Sequence, residues 1–131
     1  MFLLKVVSPD RELLNKQVKS LVVRTVSGDV CIMSGHIDYV SVLDIGALTV
    51  TFENGEKRRA AVGGGMIKVD KAVTTIVANT CEWDDEIDIQ RAKLAKERAN
   101  KYLENPTDSH TVEVATLKLR RAINRINMLE K

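Results

Sequence analysis

Four arginines in the last third of the chain are spaced to gather around an anion. Asp88 and Arg91 are three apart and Arg98 lies seven beyond Arg91, so on a helix all three share one face. Arg121 and Arg125 are four apart on a second helical stretch. If the two stretches fold antiparallel, Arg91 and Arg98 face Arg125 and Arg121. Four fixed guanidinium charges on one side of a hairpin repel unless an anion lies among them, and their planar donor forks suit phosphate oxygens. The competing reading is a solvated helix face with ordinary ion pairs, each contributing little. From pattern alone that plainer reading is the commoner one.

Two helical stretches, expected over 86–103 and 111–129, must position these groups. Asp84, Asp85 and Glu86 put negative charge at the first helix start, where the helix dipole favours it. Between the stretches, residues 104–109 form a breaker around Pro106, which disfavours helix in the residue before it. The second stretch carries the apolar seam Val112, Ala115, Leu119, Ala122, Ile126 and Leu129. The first offers Ala92, Ala95 and Ala99, then Leu103. Alanine against alanine brings helices close but removes little surface from water, at about 0.8 kcal/mol per CH2. A weakly held, openable hairpin is expected.

The front of the chain reads as short strands near residues 2–7, 18–26, 30–33, 39–43, 47–52, 57–62, 66–69 and 72–78, with turn chemistry between them. Asn54-Gly55 between two such runs is a strong hairpin signal. Some nine or ten short strands imply an antiparallel sandwich or barrel, and with the helices an α+β chain. Gly63-Gly64-Gly65 lies between strands with no Lys-Ser/Thr after it, so a strand bend or close backbone approach is preferred to a phosphate loop.

Composition closes several classes. Apolar residues make up 44% and charged residues 29% of 131, with net charge +2, which is ordinary globular chemistry for one domain plus an appendage. Residues 82–88 hold five carboxylates, whereas 111–131 hold five basic residues against two acidic, as suits helices that find each other or an acidic partner. Basic residues are not interleaved with stacking rings, which argues against nucleic acid. Cys31 and Cys81 form no CxxC pair and with His36 and His110 make no zinc set. Both cysteines are read as small buried thiols in a reducing compartment. No stretch reaches the roughly 20 apolar residues of a membrane span, and the start does not read as a signal peptide, so a cytosolic chain is expected. No nucleophile has a recognisable partner, and His36 alone makes no active site.

Ile87-Asp88-Ile89-Gln90-Arg91-Ala92 resembles the I/L-D-x-x-R-A motif of the epsilon subunit family of bacterial F-type, proton-translocating rotary ATP synthases. Val7-Ser8-Pro9-Asp10 is similar to that family's opening strand and turn. Residues 28–36 with Gly46-Ala47-Leu48 resemble its G-x-x-x-I-x-P-G-H segment and glycine corner. Gly63-Gly64 and Glu82-Trp83 match its glycine pair and its passage into the helices. The resemblance runs nearly the length of the chain.

It implies a ten-stranded β-sandwich over 1–83 that docks on the gamma subunit and the c-subunit ring, then a two-helix arm over 84–131. The implied function is that of a non-catalytic rotor-stalk subunit coupling proton transport to ATP synthesis. It has no catalytic cofactor, meets the membrane only through the complex and works at the cytoplasmic face of the bacterial cell membrane. The arm either lies folded or extends toward the alpha/beta head and restrains ATP hydrolysis. Carried over, the contacts of a regulatory ATP in the folded arm are Glu82, Ile87, Asp88, Arg91, Arg98, Arg121 and Arg125. Lys118, Arg120, Arg121 and Arg125 would meet an acidic beta-subunit segment in the extended state, and the loop of His36 would meet the rotor.

Ser34 replaces the family's usual proline, Asp38-Tyr39 replaces a common Ala/Pro pair, and residues 112–117 lack a second D-x-x-R-A. The alternatives are a free-standing ATP-sensing or anion-binding module and, less in keeping with the residues, a hydrolase using His36.

Overall fold

Strand propensity, turn residues and one glycine crossing shape the front of the chain. In the computed structural model, which describes residues 1–129, eight strands precede two helices. The strands are β1 (Phe2–Val7), β2 (Glu12–Val18), β3 (Ser20–Thr25), β4 (Gly28–Met33), β5 (Tyr39–Thr51), β6 (Lys57–Asp70), β7 (Val73–Ala78) and β8 (Cys81–Trp83). A 3-10 turn, Asp84–Glu86, leads to α1 (Ile89–Glu104) and α2 (Ser109–Leu129). The chain divides into two compact units, Met1–Trp83 and Asp84–Lys131. The last two positions of the arm expected over 84–131 lie outside the described residues.

The count is eight strands, where the resemblance implied ten. The turns expected at 44–46 and 63–65 do not end strands: β5 runs for 13 residues and β6 for 14. Each bends and serves two layers. The second half of β6 pairs with β7 and the first half of β5, and the first half of β6 pairs with β8 and the second half of β5. One layer is therefore β2-β1-β7 plus half of β6 and of β5, and the other is the remaining halves with β8, β3 and β4. Counting each bent strand twice recovers ten.

Two further expectations are corrected. The sandwich is not wholly antiparallel, because β1 runs parallel to β7, with Leu4 beside Thr74 and Val6 beside Ile76. β2 was missed: Glu12, Asn15, Lys16 and Gln17 are exposed on an edge strand, and so lack an apolar alternation to read.

Alternation does the rest. Leu4, Val6, Leu21, Val23, Leu48, Val50, Ile67 and Ile76 point inward from their strands and are almost wholly buried in one core. Cys81 joins that core, whereas Cys31 is exposed on edge strand β4, contrary to the expectation that both thiols are buried. The Asn54-Gly55 hairpin forms as expected, with Gly55 at φ 87° and Asn54 Oδ1 accepting from the Glu56 N–H at 3.0 Å.

The glycine run marks a close crossing. Gly65 has φ 144°, and a Cβ there would collide with the Val77 carbonyl oxygen and lie 2.8 Å from Ala78 Cα. Gly55 has positive φ but nothing within 4 Å of such a Cβ. Gly65→Ala is expected to destabilise the sandwich by about 3 kcal/mol or more, and Gly55→Ala by only about 1 kcal/mol. Denaturant midpoints of the two variants check this, and equal losses would contradict the crossing.

Candidate functional site

The helical unit is built on two capped starts. α1 begins at Ile89, three residues later than its charge pattern implied, because Asp84, Asp85 and Glu86 are spent in the 3-10 turn. Asp88 is the N-cap: its Oδ1 accepts from the backbone N–H groups of Gln90 at 3.1 Å and Arg91 at 3.2 Å. Ala92 N–H then donates to the Asp88 carbonyl at 3.0 Å. In Asp88-Ile89-Gln90-Arg91-Ala92 the aspartate thus caps, and the alanine, 3% exposed, enters the seam.

α2 begins the same way without the motif. Asp108 Oδ1 accepts from the Thr111 N–H at 2.8 Å and from the Thr111 hydroxyl at 2.9 Å. These bonds hold its carboxyl below the usual range. The signal was present as Asp108-Ser109-His110-Thr111, a capping spacing ahead of an apolar period. Only the expectation of an Arg-Ala pair concealed it.

The buried seam between the helices consists of Ala92 and Ala99 from α1 with Ala115, Ala122, Ile126 and Met128 from α2. Leu129, expected to end it, is 38% exposed, and Met128 is buried instead.

Every arginine of the anion set precedes a seam residue by one position: Arg91–Ala92, Arg98–Ala99, Arg121–Ala122 and Arg125–Ile126. In a right-handed helix the preceding residue is rotated about 100° in one sense. Two antiparallel helices facing each other turn that sense to the same side of their contact. The four arginines therefore leave the backbone on one side of the hairpin, joined there by Lys118, which precedes the half-buried Leu119. Counting back from the link at 105–108, Arg91 is level with Ala122, within roughly one helical turn of Arg121 and Arg125. Arg98 is level with Ala115, roughly 9 Å along the axis from Arg121.

Arg91 and Arg98 are exposed, and Arg121 and Arg125 are half-buried and make interactions of their own. Asp88 lies near the same flank, one turn before Ala92, and Ile87 is half-buried just ahead of it. Arg120 is exposed and off this flank. Glu82 belongs to β8 in the other unit, paired in register with Ala61.

His36 follows Gly35 (φ 83°) in the loop after β4. Its Nδ1 lies 2.7 Å from the Ile37 carbonyl, which requires a proton there, and its ring meets Tyr39 edge-on at 5.8 Å. The imidazole borders a cleft of about 310 Å3 with Phe2, Ile32, Val69 and Lys71. Nearby Ser34 directs its hydroxyl at the Met1 carbonyl rather than at His36. Among the described residues no group of His, Cys, Asp and Glu could hold a metal ion, and no helix is long and apolar enough to cross a membrane.

A bent β-sandwich followed by a two-helix arm with a basic flank is the architecture that the family comparisons recognise. Residues 1–84 match the family described as "ATP synthase, Delta/Epsilon chain, beta-sandwich domain", and residues 85–130 match "ATP synthase, Delta/Epsilon chain, long alpha-helix domain". The chain belongs to this family, and is accordingly a non-catalytic, epsilon-type subunit of the rotary complex. It is 38% identical over 130 residues to the ATP synthase epsilon chain of Caldicellulosiruptor saccharolyticus, covering 99% of this chain and 94% of that one. Similarity to the epsilon chain of Bacillus pumilus is also 38%, over 96% and 95% of the two chains. Among solved structures, a chain of the Euglena gracilis mitochondrial ATP synthase OSCP/F1/c-ring assembly matches with TM-score 0.83 and 25% identity, covering 94% of this chain and 78% of that one.

Because Asp108 has a depressed folded pKa, its cap contributes stability above the ordinary carboxylate value of about 3.9 and loses it as pH falls through the folded value. Helical circular dichroism of the chain is expected to decline as pH drops below about 4, and Asp108→Asn is expected to flatten that decline. An identical acid profile in the variant would rule the cap out as its source.

Proposed function

We propose that this chain is a central-stalk subunit whose sandwich docks on the rotor and whose helical arm, when folded, is stabilised by ATP. The carrying observation is the register of Arg91, Arg98, Arg121 and Arg125, each one position before a seam residue, so that closing the hairpin gathers their charge on one flank. An elongated polyanion along that flank would meet several guanidinium donors at once. Arg91, in the first turn of α1, also brings the positive end of the helix dipole toward the ligand. Within the helical unit, Ile87 and Asp88 complete the proposed contacts. Asp88 reaches the ligand while it caps, since the two backbone N–H groups both bond its Oδ1.

The arm is a two-state element. ATP favours the folded state by RT ln(1 + [L]/Kd), about 2.7 kcal/mol at a hundredfold excess over Kd. Without ligand the alanine seam opposes opening only weakly, and the freed arm reaches toward the alpha/beta head. There Lys118, Arg120, Arg121 and Arg125 meet an acidic beta-subunit segment and restrain hydrolysis.

Docking is supported by an exposed apolar row on the outer face of one layer. Val42 pairs with Met66, and Met66 with Val77, in adjacent strands. Their exposures are 51%, 51% and 53%, and Val40 on the same face is 60% exposed. Contiguous apolar surface of this kind marks an interaction site. The gamma subunit is the proposed occupant, with the His36 loop directed at the c-subunit ring. Membrane association at the cytoplasmic face then comes through the complex alone.

Arg91→Ala and Arg125→Ala are each expected to weaken ATP binding about tenfold to a hundredfold, as for loss of a charge-assisted hydrogen bond. Lys93→Ala, one position after Ala92 and so on the opposite flank, should leave binding unchanged. Titration calorimetry on the full chain checks this, and equal effects from all three changes would end the assignment. Separately, Met66→Asp should reduce association with purified gamma subunit at least tenfold while leaving the thermal midpoint of the isolated chain nearly unchanged. Undiminished association would move the docking face elsewhere.

A further inference from the structure

The link between the helices carries a hydrogen-bonded device that no anion contact requires. α1 ends with the Asn105 N–H donating to the Tyr102 carbonyl at 3.1 Å, and Pro106 follows with no N–H to offer. The Tyr102 hydroxyl lies 2.8 Å from Thr107 Oγ1 and accepts from the Thr107 N–H at 3.1 Å. Thr107 Oγ1 in turn lies 3.4 Å from Asp108 Oδ2, and that carboxylate holds both the N–H and the hydroxyl of Thr111. A side chain of α1 is thereby tied, through the link, to the first turn of α2.

From this network we infer that Tyr102, Thr107, Asp108 and Thr111 form a latch that favours the closed hairpin independently of any nucleotide. The bonds depend on the bent link. In a helix running straight through 105–108, the Thr111 N–H would turn to the Thr107 carbonyl and leave Asp108, and Pro106 would press on the Tyr102 carbonyl. Swinging α2 away also carries Thr107 from the Tyr102 ring. Opening the arm thus requires breaking the latch as well as parting the alanine seam. With so thin a seam, a few hydrogen bonds form a large share of what keeps the hairpin shut.

The inference rests on the folding arm proposed above, so its test separates the two. In the full chain with Cys31→Ser, cysteines at the exposed positions Lys93 and Asn127 would carry spin labels for distance measurement without nucleotide. Tyr102→Phe and Thr111→Val, which remove hydroxyls and leave size nearly unchanged, are each expected to raise the long-distance population about two- to tenfold, with helical circular dichroism retained. Asp108→Asn should do the same through the other end of the network. Unchanged distance distributions in all three variants, or fraying of helix ends without separation, would overturn the latch.

Adding ATP then tests the other reading. Apparent affinity should fall in proportion to the lost closed population, because only the closed state binds. Distances that shift in the variants without any effect of ATP on any form would leave the latch standing and defeat the nucleotide site.

Discussion

The constraint on which the arm depends is the smallness of the residues between its helices. Ala92, Ala99, Ala115 and Ala122 let α1 and α2 approach closely, yet each removes only a methyl group from water. Larger side chains enter the seam mainly at the open end, as Ile126 and Met128. Such a contact defines register without locking it. Polar features at the two ends, the arginine flank and the Tyr102–Asp108 network, therefore carry weight that a leucine core would have made irrelevant.

The arginines show how register turns composition into geometry. Nothing about an arginine at 91 or 125 is informative alone, since charged helix faces are commonplace. What matters is the fixed offset from a buried neighbour, repeated on both helices, because handedness then collects the charges on one side. An insertion of one residue in either helix would rotate its share of the flank by about 100° and scatter the set. Asp88 likewise serves twice: its carboxylate starts α1, and its place near the flank sets the polarity of the surface beside Arg91.

Much of this is legible in the amino-acid sequence itself. The alternation of Leu48 and Val50, the Asn54-Gly55 turn and the breaker at Pro106 each rest on local chemistry, and each formed as read. Misreadings came where the decisive contact is distant. Gly63–Gly65 and Asp44–Gly46 look like strand ends in a linear text, but they are bends within β6 and β5 that let one strand serve two layers. β2 escaped notice because an edge strand need not alternate, and Cys31 was misjudged because its strand lies at that kind of edge. The second cap was missed for another reason: Asp108 with Thr111 meets the same physical need as Asp88 with Arg91, using different letters.

The parallel pairing of β1 with β7 bears on how this chain comes into being. Phe2–Val7 lies between β2, which follows it at once, and Val73–Ala78, some seventy residues further on. During synthesis β1 can therefore close a hairpin with β2 early, but it waits for most of the first unit before its other edge is filled. The helical unit pairs α1 mainly with the element that follows it across a short link, and assembles quickly once made. Synthesis thus delivers a slow, topologically demanding front followed by a fast tail.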